Sequence, residues 1–500
     1  MKRKITFIMV FFCAALSAQN IEDVLRYSNE NLIGTARFQG LSGAFGALGG
    51  DMSAINVNPA SSAVFRNSQF SMTGTAYNRN NESLYFGTFR NTNLTSWKFN
   101  QIGGVFVWKN NQSDWKKISL AFNYDLVNNF NNEFFASGNS NQGIDNYFLN
   151  FAQGIPFGTL LVRDGEFIED AYLRIGSSVG FGPQQAFLGY FGGVIDPVDD
   201  TDPDGTQYVS NALYSTVTQD FFQSSLGYNS KFTMNLASQY QDVLYIGGSI
   251  NFNNVYYEKF TRFDETGYGA GSPLQFTNFD NLLRTNGWAF SFGLGAIARV
   301  NDNLRLGASY QSPVWYDLRD DLSQRINSNL ADDEIDFINF SVINLFESYK
   351  VKTPSKFTGS AAIIFGAQGL ISFDYSYQNM ANAELRPTSD PSFSTVNTQI
   401  SNELGGVSTV KVGGEYRVKM VSLRGGYRYE GSPYKDGITV GDLNGFSAGL
   451  GLNFGGSRLD FTYSRSDQDI NQQLFDTGLT TAALINQVKN NYILSYTINF

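Results

Sequence analysis

From about residue 68 to the C terminus, apolar and polar side chains alternate with a period of two. The segment 421–430 shows this clearly, because its apolar side chains fall on one face: Val421, Leu423, Tyr427 and Tyr429. Segments 371–378 and 459–464 repeat the pattern. Successive side chains of a strand point to opposite sides of a sheet, so each segment is predicted to be a two-faced strand. Soluble sandwiches and membrane barrels both contain such strands.

The connections between these segments distinguish the two folds. Tight turns are expected at Gln241-Asp242, Asn301-Asp302, Gln368-Gly369, Lys419-Met420 and Gly456-Ser457. Long polar connections are expected near 263–285, 319–350, 386–404, 431–441 and 469–485. Strict alternation of short and long connections is typical of a transmembrane barrel, whose two rims face different compartments.

We therefore predict an all-β fold, a 14-stranded antiparallel transmembrane β-barrel with both chain ends at the short-turn rim. The predicted strands lie near 68–78, 98–109, 115–126, 226–240, 242–261, 286–300, 303–318, 351–367, 369–385, 405–418, 420–431, 442–455, 457–468 and 486–500. Several exceed the ~10 residues that a bilayer requires, and these are expected to project beyond it on the long-loop side.

The last strand ends on an aromatic residue. Tyr492, Leu494, Tyr496 and Ile498 alternate up to the terminal Phe500. This resembles the C-terminal signature by which the assembly machinery recognises outer-membrane barrels. A terminal aromatic side chain would also suit the membrane interface.

Residues 34–60, GTARFQGLSGAFGALGGDMSAINVNPA, precede the first strand and are rich in glycine. They contain one cation, Arg37, and one anion, Asp51, and end in Asn58-Pro59-Ala60. Dense glycine usually marks close passage of the backbone past another group. A flexible linker would not carry the interleaved apolar residues, and a nucleotide-binding loop would need a preceding strand. We interpret the stretch, which begins at Gly34, as a compact plug, or hatch, inside the barrel.

Composition narrows the function. Residues 1–18 have the charged, apolar and small-residue regions of a secretory signal peptide, so we assign 19–66 to the hatch and 67–500 to the barrel. The net charge of −10 argues against a nucleic-acid partner. Histidine is absent, which removes the usual general base and the commonest metal ligand. We expect neither enzymatic activity nor a resident cofactor.

The largest insertion is expected at 127–225, between the third and fourth strands, and it is rich in aromatic residues. It either caps the barrel mouth as an apolar funnel or forms a loop core that contacts no ligand. Within it, Asp200, Asp202 and Asp204 precede Gly205 and match the first half of a calcium loop. The 196–206 loop is therefore a calcium candidate, although Asn211 stands where such a loop needs Glu. A solvated acidic turn is the alternative.

Charged side chains also fall on the polar faces of two neighbouring strands: Lys411, Glu415 and Arg417 on one, and Arg424, Arg428 and Glu430 on the next. If the opposite faces meet lipid, these charges point into the lumen. They could bind a ligand carboxylate or pair with acids on the hatch and hold it. We favour the second use.

The glycine-rich stretch ending in Asn58-Pro59-Ala60, followed by fourteen strands, resembles the long-chain fatty-acid outer-membrane transporter family (the FadL/TodX type). The resemblance implies passive uptake of hydrophobic molecules in a bacterial outer membrane. Outer loops would capture the ligand, and it would leave sideways through a wall gap formed by a kinked third strand. Val127-Asn128-Asn129 is a candidate for that kink.

Relatives with this barrel also serve as non-transporting platforms for protein secretion. The alternative function is therefore a surface protein-binding platform. The expected partners are a hydrophobic ligand, outer-membrane lipid, the barrel assembly machinery and, for a platform, a surface protein.

Overall fold

The computed structural model describes residues 20–29 and 31–500, so the predicted signal peptide lies outside the described residues. Fourteen long strands form the wall, numbered here in chain order. They are β1 (Gln69–Tyr85), β2 (Thr88–Lys109), β3 (Trp115–Asn129, continuing as Asn132–Ser140), β4 (Val217–Tyr240), β5 (Leu244–Thr266), β6 (Thr277–Arg299), β7 (Leu304–Gln311 and Trp315–Ser328), β8 (Tyr349–Lys352 and Lys356–Phe365), β9 (Gly369–Asn379), β10 (Gly406–Val418), β11 (Val421–Glu430), β12 (Leu443–Asn453), β13 (Ser457–Gln473) and β14 (Ala482–Asn499).

The strands close into a barrel. Each pairs antiparallel with the next, and β14 returns to pair with β1 from Gln69↔Asn499 to Leu84↔Leu484. The predicted 14-stranded antiparallel barrel is confirmed. No helix within 20–29 and 31–500 is long and apolar enough to cross a membrane.

The two faces of the wall differ as the alternation predicts. On β14, Tyr492, Leu494 and Tyr496 are exposed on the outside, whereas Ser495 and Thr497 are buried toward the lumen. The aromatic and aliphatic side chains on the outside meet lipid, so their apolar surface is not exposed to water. The small polar side chains inside leave room for the hatch.

The first hairpin differs from expectation. The predicted strand ends at 78 and 98 left 79–97 as a loop, but β1 and β2 continue to a two-residue turn at Phe86-Gly87. Both turn residues have positive φ, as tight hairpin turns require. Strict alternation of short and long connections is therefore wrong at the first connection. Segment 79–97 is polar on both faces over much of its length, so its period-two signal is weak.

The insertion is shorter than expected because β3 runs to Ser140 and β4 begins at Val217. Residues 141–216, here called the cap, form four helices: α3 (Asp145–Ala152), α4 (Phe157–Leu160), α5 (Ile168–Ser178) and α6 (Phe181–Phe191). Their buried side chains share one apolar core with the upper wall, which includes Phe148, Phe187, Phe221, Phe279 and Phe475. The predicted insertion began at 127 because aromatic residues occur on both faces of 130–140 and obscure the period-two pattern of this strand.

The hatch lies within the barrel. Before β1 it contains α1 (Ile21–Ser28), α2 (Ala36–Gly40) and two 3-10 turns (Ser53–Asn56 and Pro59–Val64). Helix α1 packs in a separate apolar cluster beside α7 (Pro391–Glu403) of the β9–β10 connection. Nearly every residue from Gly34 to Ala63 is buried.

Candidate functional site: hatch, lumen and seam

The Asn58-Pro59-Ala60 motif fixes the end of the hatch to the wall. Asn58 Nδ2 donates to the carbonyl oxygens of Gly46 at 2.7 Å and Ala296 at 3.0 Å, and its Oδ1 accepts from Ala60 N at 3.1 Å. Asn235 Nδ2 donates to the Pro59 carbonyl at 2.8 Å. The motif thus connects the glycine-rich turn, the wall and the following 3-10 turn.

Glycine permits the close approach of hatch to wall. A Cβ on Gly46 would lie 2.0 Å from Ser360 Oγ, and Asp374 accepts from the backbone N–H groups of Phe45 and Gly46, each at 2.9 Å. Gly34, with φ +145°, has its carbonyl bound by Asn100 Nδ2 at 3.0 Å. These contacts show the close backbone passage that dense glycine indicates.

A buried ion network joins hatch and wall. Glu415 Oε2 accepts from Arg37 Nε at 3.0 Å and from Arg424 Nε at 2.6 Å, and Arg424 Nη1 donates to Asp460 Oδ1 at 2.7 Å. The side chains of Glu415 and Asp460 are fully buried. We call Arg37, Glu415, Arg424 and Asp460 the latch. Arg417 also pairs with Glu415.

The charges of the latch are the reverse of those expected. We predicted that wall cations would pair with acids on the hatch, but the hatch supplies the cation Arg37 and the wall supplies the acid Glu415. Asp51 stays within the hatch, where its Oδ1 accepts from Thr35 Oγ1 at 2.8 Å and from Ser53 N at 3.0 Å. An aspartate so placed stabilises the turn that surrounds it.

The other predicted lumen charges lie above the latch. Arg428 pairs with Glu430, and both line a cavity with Lys411. Sequence reasoning did not single out Asp374 or Asp460. Both lie on polar strand faces that the alternation identifies, and a search for carboxylates on those faces would have found them.

The wall is not continuous between β2 and β3. Their pairing runs from Lys109↔Lys117 to Gln101↔Asp125 and then ends. Above that point β3 pairs only with β4, and its register shifts between Leu126 and Asn128. The shift falls in the predicted segment 127–129. We call the boundary between residues 88–100 of β2 and 126–140 of β3 the seam.

The upper part of β3 lies behind the first hairpin. Asn81 of β1 donates to the Glu133 carbonyl at 2.6 Å, and Ser83 donates to that of Phe135. Asn129 Nδ2 reaches Ser96 Oγ of β2 at 3.4 Å. Side chains therefore bridge the seam where backbone pairing is absent.

A cavity of about 290 Å³ lies at the inner side of the seam. We call it the inner cavity. It is lined by Asn128 and Asn129 of β3, by Phe130 at the break in β3, and by Leu25 and Arg26 of α1. The remaining lining is mostly polar and includes Arg79, Tyr257 and Lys489 together with the acids Glu22 and Glu430. Its volume is just below the range of about 300–1,000 Å³ that is typical of small-molecule sites.

The predicted calcium loop has no clustered ligands. Asp199 Oδ1 accepts from Thr201 N at 2.9 Å and Asp202 Oδ1 from Asp204 N at 3.1 Å, as turn-forming aspartates do. Asp200, Asp202 and Asp204 are exposed. No group of three or more acidic side chains in the described part of the chain is arranged to hold a metal ion. Calcium binding stays a prediction.

Phe500 lies at the rim where the chain ends. Its N–H donates to the Ser68 carbonyl at 3.0 Å, and its ring contacts Phe106 edge-on at 6.3 Å between centroids. The side chain is 67% exposed on the outside of the barrel. This position suits an interface aromatic, and its role in assembly stays a prediction.

Comparison with known proteins gives one family match. The model for "Outer membrane protein transport protein (OMPP1/FadL/TodX)" matches residues 205–499. A Pseudomonas aeruginosa FadL homologue superposes with a TM-score of 0.56 at 13% identity, covering 95% of this chain and 100% of that one. The Pseudomonas putida toluene transporter TodX gives 0.49 at 12% identity, covering 95% and 100%. Curated protein sequences give no match.

Proposed function

The chain belongs to the OMPP1/FadL/TodX family of outer-membrane transport proteins, and on that premise we propose that it carries amphipathic hydrophobic compounds passively across the outer membrane. Long-chain fatty acids are the default ligand. It is an outer-membrane transporter rather than an enzyme.

The observation that carries the proposal is the seam with the inner cavity behind it. We infer that a hydrophobic ligand in that cavity leaves toward lipid between β2 and β3, where backbone pairing ends at Gln101↔Asp125. Only side-chain contacts, such as that of Asn129 with Ser96, have to separate there. The hatch below blocks the straight path through the lumen, since the latch and the Asn58 contacts hold it to the wall. Lateral exit keeps the apolar part of the ligand out of water.

Exposed aromatic residues mark the outside of the seam. Trp97 and Phe99 of β2 are 58% and 62% exposed and contact each other edge-on at 4.4 Å. Aromatic side chains in this setting are typical of the membrane interface. They support release of a ligand into lipid beside the wall.

A crosslink across the seam tests the proposal. The described part of the chain has no cysteine, so Ser96→Cys with Asn129→Cys introduces a single cysteine pair. In the native chain Asn129 Nδ2 lies 3.4 Å from Ser96 Oγ. Oxidation should abolish uptake of labelled oleate by cells making this variant, and reduction should restore it. Phe106→Cys with Leu120→Cys joins the same strands where they are already paired and should not affect uptake. Normal uptake through the oxidised seam would contradict lateral exit.

The platform function remains the alternative. The cap exposes single apolar side chains such as Phe167, at 70%, and Val198, at 60%, but scattered apolar residues are common on protein surfaces. A protein that co-purifies with the barrel and is released when the cap is deleted, together with absent oleate uptake, would favour the platform.

A further inference from the structure

Two cations lie opposite each other on the adjacent strands β1 and β14, beside the seam. Arg79 of β1 is the direct cross-strand partner of Lys489 of β14, and both side chains point into the lumen. Like charges directly opposite each other in an antiparallel pair repel. Arg79 donates one hydrogen bond, to the Asn129 carbonyl. The ammonium group of Lys489 makes no hydrogen bond or ion pair with any side chain of the described residues. No ion pair to either cation within the described residues offsets this repulsion.

The next lumen-facing pair of residues along β1 and β14 adds polar groups. Tyr77 is opposite Asn491. Tyr77 is 4% exposed, and its hydroxyl has no hydrogen-bond partner in the described structure. Burying an unpaired hydroxyl costs free energy. We call Tyr77, Arg79, Lys489 and Asn491 the cation patch.

All four residues line one small cavity of about 40 Å³. None of the described residues lining it is acidic. Arg79 and Lys489 also line the inner cavity, so the cation patch lies where the two spaces meet. Two acids line the inner cavity with them: Glu430 is already paired with Arg428, and Glu22 accepts a hydrogen bond from Gln472 at 3.0 Å.

We propose that the cation patch binds the headgroup of an amphipathic molecule that carries a doubly charged oxyanion, with a phosphate monoester as the simplest case. Two facing cations are neutralised by a dianion, whereas a carboxylate neutralises one. A phosphate also has enough acceptor oxygens for a guanidinium, an ammonium and a phenol hydroxyl together. Its apolar tail would lie in the inner cavity against Leu25, Phe130 and Tyr257. The tail placement rests on the proposed function.

Calorimetry on the purified full-length protein in a neutral detergent tests the headgroup preference. Dodecyl phosphate and dodecanoate share one chain length and differ in headgroup. Dodecyl phosphate should bind at least about tenfold more tightly, because its second charge adds charge-assisted hydrogen bonds. Equal affinities, or tighter dodecanoate binding, would overturn the proposal.

Variants assign the preference to the cation patch. Lys489→Gln should remove the tenfold preference, Lys489→Arg should keep it, and Tyr77→Phe should reduce it. Lys109→Gln removes a cation at the opposite rim, where Lys109 contacts Asn67, and should leave the preference unchanged. The heat-dependent gel mobility of each variant reports a folded barrel. A preference that survives Lys489→Gln in a folded barrel would also overturn the proposal.

Inorganic phosphate distinguishes the source of the anion. Binding much weaker than that of dodecyl phosphate would identify an amphiphile, and equal binding would identify free phosphate as the occupant of the same dianion site. These binding results do not depend on transport. A folded protein that shows the preference but fails the seam-crosslink uptake assay would contradict the proposed function and leave the dianion site in place.

Discussion

Neutralising Glu415 is the sharpest perturbation of the hatch. Glu415→Gln keeps the size of the side chain and removes its charge. The change leaves Arg37, Arg417 and Arg424 close together, with Asp460 as the one remaining acid of the latch. Because Glu415 is fully buried and Arg424 is 1% exposed, water cannot screen the resulting repulsion.

The size of the effect follows from burial. Removing one partner of a buried ion pair typically costs about 3–5 kcal/mol, because the other charge stays behind without compensation. If ~3 kcal/mol of this loss falls on the seated position of the hatch, the ratio of seated to unseated hatch falls by roughly a hundredfold. Arg37 keeps a 3.3 Å hydrogen bond to the Gly50 carbonyl, but this bond lies within the hatch and does not attach it to the wall.

Conductance of single barrels in planar bilayers measures the effect. Glu415→Gln should show more frequent open events than the unaltered protein, with the barrel still folded by gel mobility. Glu384→Gln is the matched control, because Glu384 pairs with Lys352 at 3.1 Å in a partly exposed setting, where such pairs contribute about 0–1 kcal/mol. If Glu415→Gln and Glu384→Gln conduct alike, the latch does not hold the hatch and the reasoning fails.

Three further predictions concern the hatch and the rim. Gly46→Ala places a Cβ 2.0 Å from Ser360 Oγ. Overpacking of this kind destabilises the seated hatch by about 1–3 kcal/mol, so the variant should raise conductance. Gly359→Ala, with no neighbour within 4 Å, should leave conductance unchanged. Burial raises the pKa of the Glu22 carboxyl above its usual value, so docking of α1 is stabilised at low pH and loses that stabilisation as the pH rises through the raised pKa. Glu22→Gln should increase the protection of α1 amides from hydrogen exchange at pH 7 and remove the pH dependence of that protection, and unchanged protection would refute the burial argument. Phe500→Ala should lower the folded fraction of newly made barrel on gels, and an unchanged fraction would leave the terminal ring without an assembly role.

The barrel was predictable because alternation is a local property of the chain. Each strand face can be read from a few residues, as in the exposed Tyr492, Leu494 and Tyr496. The register of one latch contact is local as well. A tight turn at Lys419-Met420 sets Val418 opposite Val421, and counting back from it brings Glu415 opposite Arg424.

The remaining latch contacts could not be predicted in this way. Arg37 reaches Glu415 across 378 positions of sequence, and no turn fixes that distance. The sequence placed Glu415 and Arg424 on the lumen face but left open which sign of charge the hatch would bring. The same limit applies to Gly46. A glycine there indicates that the hatch backbone passes close to another group, but only the folded barrel shows that this group is Ser360.

The seating of the hatch explains how a buried plug can also be displaceable. Hydrogen bonds, such as those of Asn58 and Asp374, make up part of its contact with the wall. Each such bond contributes only about 0.5–1.5 kcal/mol net, because the freed groups can bond to water in an opened lumen. The apolar contacts, such as those of Met52 and Ile55 with Val105, lose their transfer free energy on opening unless a hydrophobic ligand replaces the hatch surface. The latch differs from both kinds of contact, since its charges are buried and paired with one another. The equilibrium between seated and unseated hatch should therefore depend on Glu415 more than on any single hydrogen bond.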